Sequence, residues 1–133
     1  MPNIDNISEI ISKPGIERAT LSILLRHKDK IIEASAENLF AEHFSVKAHQ
    51  IIYSVCVHLS QSPDIHSIDS TLIYNTITDQ TAKNVLDEFG GMEYIDMLIV
   101  SPIADNLPFF IKQLKECSIL RQTYMLASSM QDD

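Results

Sequence analysis

Glycine is scarce in this chain: Gly15, Gly90 and Gly91 are the only three among 133 residues. Hairpin turns draw heavily on glycine, so the shortage argues against strands and for an all-α class. Tryptophan is absent, and the two cysteines, Cys56 and Cys117, form neither a disulfide framework nor a CxxC metal motif. Both fall in apolar helical patterns and read as reduced, buried thiols. The longest uncharged run, Ala48 to Pro63, is too short for a membrane span and carries His, Gln and Ser. The opening MPNIDNISEIISKPG has no basic region, apolar core or small-residue cleavage site, so it is no signal peptide. These absences leave one cytoplasmic domain, long enough to bury its own core.

Basic residues are missing where acids gather. Asp64, Asp69, Asp79, Asp87, Glu88, Glu93, Asp96 and Asp105 face Lys83 alone within residues 64–105, and the whole chain carries a net charge of −8. A duplex-binding surface needs clustered Lys and Arg to displace counterions. None occurs, so direct nucleic-acid binding is not expected. An acidic face is usually a solvated one; the sharper reading is a protein partner with a basic surface.

What is present is helical periodicity. After a flexible leader over residues 1–13, Pro14-Gly15 signals a start, and Ile16, Ala19, Leu21, Ile23, Leu24 and Leu25 give a wide apolar arc ending at Arg26. A short helix is expected over Asp29–Ser35, then a turn anchored by Leu39, Phe40 and Phe44. Val46–Gln61 is the clearest core helix, with Ala48, Ile51, Ile52, Val55 and Leu59 on one face and Tyr53 and Cys56 widening it. Pro63 breaks it. Ile65, Ile68, Leu72, Ile73 and Ile77 form the next stripe, with Ser67 or Asp69 as cap. Val85, Leu86 and Phe89 mark a helix that ends at the glycines, and Met92, Ile95 and Ile99 mark another, closed by Pro102. A long helix starts near Leu107, with Asn106 as cap and Pro108 in its first turn. Its stripe of Leu107, Phe110, Ile111, Leu114 and Cys117 is interrupted by Ser118 and Arg121. Tyr124, Met125, Leu126 and Met130 beyond them lack an evident partner within the chain. Residues 14–105 thus read as a globular head and 106–133 as a long helix.

No catalytic apparatus is visible. Gly90-Gly91 is neither GxGxxG nor a P-loop, because no Lys-Ser or Lys-Thr follows and four carboxylates flank it. The pair reads as a structural corner, where one helix ends in a left-handed residue and another begins. His27, His43, His49, His58 and His66 show no zinc-binding spacing, so neither a metal nor a cofactor is expected. There is no GxSxG elbow. His49, which opens the central helix, is the histidine of most interest. On residues alone, the chain is a helical protein-interaction module.

Five segments then carry a resemblance: GIERATLSILL, FSVKAHQIIY, SIDSTLI, LDEFGGMEYI and SPIADNLPFFIKQLKECSILRQ. Together they resemble the N-terminal domain of the bacterial replicative hexameric DNA helicases, the DnaB family. Glu17 and Leu21 match its opening helix, and Phe44, His49 and Tyr53 its aromatic-x4-His-x3-aromatic pattern. Asp69 matches a helix start. Leu86, Gly90, Gly91, Tyr94 and Ile95 match its glycine corner, while Asn106, Phe110 and Arg121 match the helix that ends its head. The segment between Pro102 and Asn106 departs from the family pattern, as do Arg18-Ala19-Thr20 and Ser22.

The resemblance implies a compact all-α head whose long last helix is the first arm of a helical hairpin. It also implies self-association, as a dimer or as a hexamer in a full-length parent. Partners would be the C-terminal domain of primase or a helicase loader, meeting Tyr94, Tyr124 and Met130. Phe44, His49, Tyr53 and Phe110 would be core. On this reading the chain is itself no enzyme, binds no membrane, and is a fragment of an ATP-dependent DNA helicase. The alternative is a free-standing regulator, a phage-type mimic of the helicase head that binds replication proteins.

Overall fold

The structure is a computed structural model that describes residues 12–131 apart from 102 and 104, with side chains to Ser129. Among the described residues seven α-helices follow in order: α1 Pro14–Arg26, α2 Lys28–Ala36, α3 Lys47–Ser60, α4 Ser70–Thr76, α5 Gln80–Glu88, α6 Met92–Val100 and α7 Leu107–Gln131. A single 3-10 turn, Ala41–His43, stands between α2 and α3. No strand occurs among the described residues. The fold is all-α with a long last helix, and the leader expected over residues 1–13 lies outside the described residues up to 11.

The centre of the head is α1 rather than the helix whose periodicity is clearest. It packs against α2, α3, α6 and α7, and from Glu17 to Leu25 only Arg18 is exposed. A helix buried on nearly every side must satisfy its polar side chains locally. Thr20 Oγ1 donates to the carbonyl of Ile16 (2.7 Å) and Ser22 Oγ to that of Arg18 (2.9 Å), the i−4 back-bonding open to hydroxyls in helices. α3 supplies the facing wall through Ala48, Ile52, Tyr53, Cys56 and Leu59. Tyr53 donates its hydroxyl to the Leu39 carbonyl, and burial together with the neighbouring Cys56 thiol pushes its pKa up to about 12. Burial alone does the same for Cys56, also to about 12, and both cysteines are buried, neither of them in a disulfide.

Several expectations change in detail. α4 covers only Ser70–Thr76; Ile65 and Ile68 precede it in irregular chain, and Asp69 caps it by accepting from the Leu72 amide (2.8 Å). Phe40 is half exposed, its ring stacked on His43 rather than anchoring the turn, whereas Leu39 and Phe44 are buried. Leu98 is buried although the α6 stripe passes over it. Ser118 and Arg121 do not interrupt the docking of α7. Ser118 is buried, and Arg121 Nη2 donates to the carbonyls of Glu42 (3.4 Å) and His43 (3.1 Å), while Lys115 donates to that of Glu37. Asn106 contributes its backbone carbonyl, which accepts from Phe110, and the carboxylate reaching the Leu107 amide is that of Asp105 (3.4 Å).

Two helix ends share one device. After α2, the amides of Asn38 and Leu39 donate back to Ser35 and Ala34, both at 3.0 Å, with Asn38 at φ +62°. After α5, the amides of Gly90 and Gly91 donate back to Asp87 and Leu86, again at 3.0 Å. Both are Schellman closures. Gly90 has φ +118° and Gly91 φ +60°, and a Cβ on Gly91 would lie 3.1 Å from Asp87 Oδ1. The corner therefore needs glycine twice, as backbone punctuation.

Gly90→Ala and Gly91→Ala should each cost roughly 1–3 kcal/mol in urea denaturation. Gly15→Ala should leave stability unchanged or raise it by about 0.5–1 kcal/mol, since a Cβ there meets only Arg18 Nη2 at 3.8 Å.

Candidate functional site

The helices bring three residues far apart in sequence into one hydrogen-bonded chain. Glu17 lies on the core face of α1, in line with Thr20, Leu21 and Leu24, and its side chain has no solvent exposure. Four donors meet its carboxylate: Ser45 N (2.9 Å), Ser45 Oγ (2.5 Å), Val46 N (3.1 Å) and His49 Nδ1 (2.8 Å). The two amides lie just ahead of α3, so the carboxylate also sits at that helix's positive end. Burial by itself would raise the Glu17 pKa. The hydrogen bonds from His49, from Ser45 through side chain and backbone, and from Val46 outweigh it and hold the group below its ordinary 4.5.

An ionised carboxylate only accepts, so His49 must donate from Nδ1. The second ring nitrogen is hydrogen-bonded to the Tyr94 hydroxyl, 2.6 Å away on α6. Burial raises the Tyr94 pKa, the Arg18 guanidinium opposes it, and the Glu17 charge adds to it; the net shift is upward. Phe89, at the end of α5, closes the group with ring centroids 5.6 Å from Tyr94 and 6.3 Å from His49. Ser45 has one hydroxyl proton and gives it to Glu17, so its oxygen accepts from Ser12 Oγ (2.7 Å). The result is a clamp joining α1, the entry to α3, and α6.

Tyr94, expected as a partner contact, is half-buried beside the glycine corner, with its hydroxyl bonded to His49 and its ring packed against His49 and Phe89. Tyr124 is exposed on the part of α7 beyond Arg121, and no ring contact or hydrogen bond joins it to Tyr94. The Met130 side chain lies outside the described residues. Phe44, His49 and Tyr53 are buried, the first and last with rings 5.1 Å apart. Phe110 is half-buried against the core with its ring edge-on to the exposed Phe109. Among the described residues no group of three His, Cys, Asp or Glu could hold a metal ion, and no helix is long and apolar enough to cross a membrane.

The acidic middle segment divides by use. Asp69 and Asp79 cap α4 and α5, Asp87 accepts from the Tyr74 hydroxyl (3.0 Å), and Asp105 pairs with Lys30 (3.5 Å). Asp64, Glu88, Glu93 and Asp96 are exposed and make no side-chain hydrogen bond or ion pair among the described residues. Sequence reasoning reached Glu17, His49 and Tyr94 singly and did not connect them. The available signal was a carboxylate set among Leu21 and Leu24 on an apolar face, which demands buried donors.

Glu17→Gln should lose roughly 2–4 kcal/mol at pH 7, because the replacement cannot accept at both oxygens in place of a charged group. A depressed carboxylate pKa contributes stability above the unfolded value and loses it as pH falls through the folded one. The gap between wild type and Glu17→Gln in chemical denaturation should therefore close below about pH 4.5. Tyr94→Phe, which strands the second His49 nitrogen, should cost about 1–2 kcal/mol.

The chain matches the family described as DnaB-like helicase N terminal domain over residues 9–116. No individual curated protein and no solved structure matches it. The matched span takes in the whole clamp, the glycine corner and α7 as far as Glu116. With most of its length accounted for, this chain belongs to the DnaB-like helicase N-terminal domain family.

Proposed function

We propose that the chain is a collar and docking domain of a replicative DNA helicase: it associates with other subunits through α7 and receives primase or a loader on its head. The observation that carries the first half is the course of α7. Arg121 bonds to the 3-10 turn, and past that point Tyr124, Met125 and Leu126 are exposed, as are Ile119 and Leu120 just before it. Ile119, Leu126 and, in sequence, Met130 recur at spacings of seven and four, which places them along one side of a helix. Apolar side chains left open along a helix call for another helix, supplied by a second arm or a second subunit.

For the docking half, the family supplies the context, and the surface around Tyr94 supplies an aromatic presented on a rigid base. Its hydroxyl is fixed inward by His49, so its ring is held in one orientation without loss of side-chain freedom on binding. Primase, through its C-terminal domain, is the partner we favour over a loader, and the exposed acids beside Tyr94 suit a basic counterpart.

Sedimentation velocity should show concentration-dependent self-association that is lost in Ile119→Asp/Leu126→Asp, with the melting temperature of the head unchanged. A wild-type chain that stays monomeric at every concentration removes the collar reading. Titration with the primase C-terminal domain at low and moderate salt should show binding that weakens with salt; no binding by a folded sample at either salt removes the docking reading.

A further inference from the structure

α6 turns one side to solvent along its whole length. Met92, Glu93, Asp96, Met97 and Val100 are all exposed and follow a helical line, while Ile95 and Leu98 on the other side are buried. The three apolar members are 40%, 45% and 72% exposed. Glu93 and Asp96 lie between them, Glu88 stands at the end of α5, and none of these acids has a partner among the described residues. Of the other acids in the stretch, four serve as caps or pairs and only Asp64 does not, so most of the segment's left-over charge lies here. Beside the line, α1 and α6 enclose a shallow groove of about 310 Å³. It is lined by Gly15, Ala19 and Ser22 on one wall and by Met97 and Leu98 on the other. Ser101 and Ile103 complete its lining, and Arg26 ties α1 to the end of α6 by donating to the carbonyls of Ile99 (2.6 Å) and Ser101. Arg18 stands on the α1 wall with its guanidinium beside the Tyr94 hydroxyl.

We infer that the outer face of α6, with the adjoining α1–α6 groove, docks a basic amphipathic helix of a partner protein. The apolar residues of that helix would cover Met92, Met97 and Val100 and place one side chain in the groove. Its Lys and Arg residues would meet Glu88, Glu93 and Asp96. An acidic or neutral helix could fill the groove but would meet like charge or leave the carboxylates unpaired. A nine-residue helix presents about 14 Å of line, so two to three turns of partner would suffice. This inference rests on the reading of the chain as a docking head, and names the surface and the chemistry of what docks.

The test is NMR titration of the labelled chain with a Leu/Lys amphipathic peptide of about 18 residues, beside its Leu/Glu counterpart. Shifts should be confined to α6, the end of α5 and the groove. Glu93→Lys/Asp96→Lys should weaken binding at least about tenfold, Met97→Ser/Val100→Ser should weaken it comparably, and Asp64→Lys should leave it unchanged. All of these are surface positions, so the variants remain folded. Equal binding of the Leu/Glu peptide, shifts spread evenly over Asp64 and the capping acids, or wild-type binding by Met97→Ser/Val100→Ser would each overturn the inference. The primase C-terminal domain is titrated in parallel. If it binds and the peptide does not, this inference alone fails; if the peptide binds and it does not, the primase reading alone fails.

Discussion

A carboxylate with no access to water cannot be left unpaired, and the arrangement of this head follows from meeting that demand at Glu17. Desolvating such a group without partners would cost more than the whole stability of a small domain. Four donors are needed around two oxygens. Two of them are backbone amides at the mouth of α3, which fixes where that helix begins relative to α1. A third is an imidazole, whose remaining nitrogen then needs its own partner and takes it from α6. The requirement thus passes from one helix to the next until the Tyr94 hydroxyl delivers it to the surface. Apolar packing could tolerate small rotations of α1 among its neighbours; this set of hydrogen bonds does not.

The same economy governs the acids outside the core. An Asp just ahead of α4 or α5 terminates unpaired amides, and Asp105 holds Lys30 of α2 near the start of α7. Those groups act on the fold. The acids of α6 and the end of α5 act on nothing inside the molecule, and they share their surface with exposed methionine and valine. Charge that does no internal duty, interleaved with apolar side chains, is the combination that distinguishes an interaction face from a merely solvated one.

Helix existence was legible from spacing throughout, because each helix has a face that repeats. The glycine corner was legible too, since paired glycines after Phe89 with no lysine to follow leave little but a turn. What periodicity could not show is the rank of the helices. The α3 stripe reads most clearly because one of its sides is polar, whereas α1 is buried nearly all round and blurs its own pattern. Phe40 misled because an aromatic ring is expected inside, yet this one is satisfied by stacking on His43 at the surface. Arg121 misled in the opposite sense: a charge in an apolar stripe looked like a break, but its long side chain reaches backbone carbonyls of the 3-10 turn. The clamp was illegible as a unit because its members are 32 and 45 residues apart, and a single sequence carries no record of which residues meet.

That separation has a consequence for how the chain is made. During synthesis α1 emerges ahead of its partners: its Glu17 finds His49 only after α3 has been added and is linked to Tyr94 only after α6. The turn at residues 41–43 then waits for Arg121 of the last helix, and the end of α2 at Glu37 waits for Lys115. The nascent head therefore has no stable half-way stage built around α1. The apolar surface of that helix stays open until most of the chain has left the ribosome, and the domain closes late and as one unit.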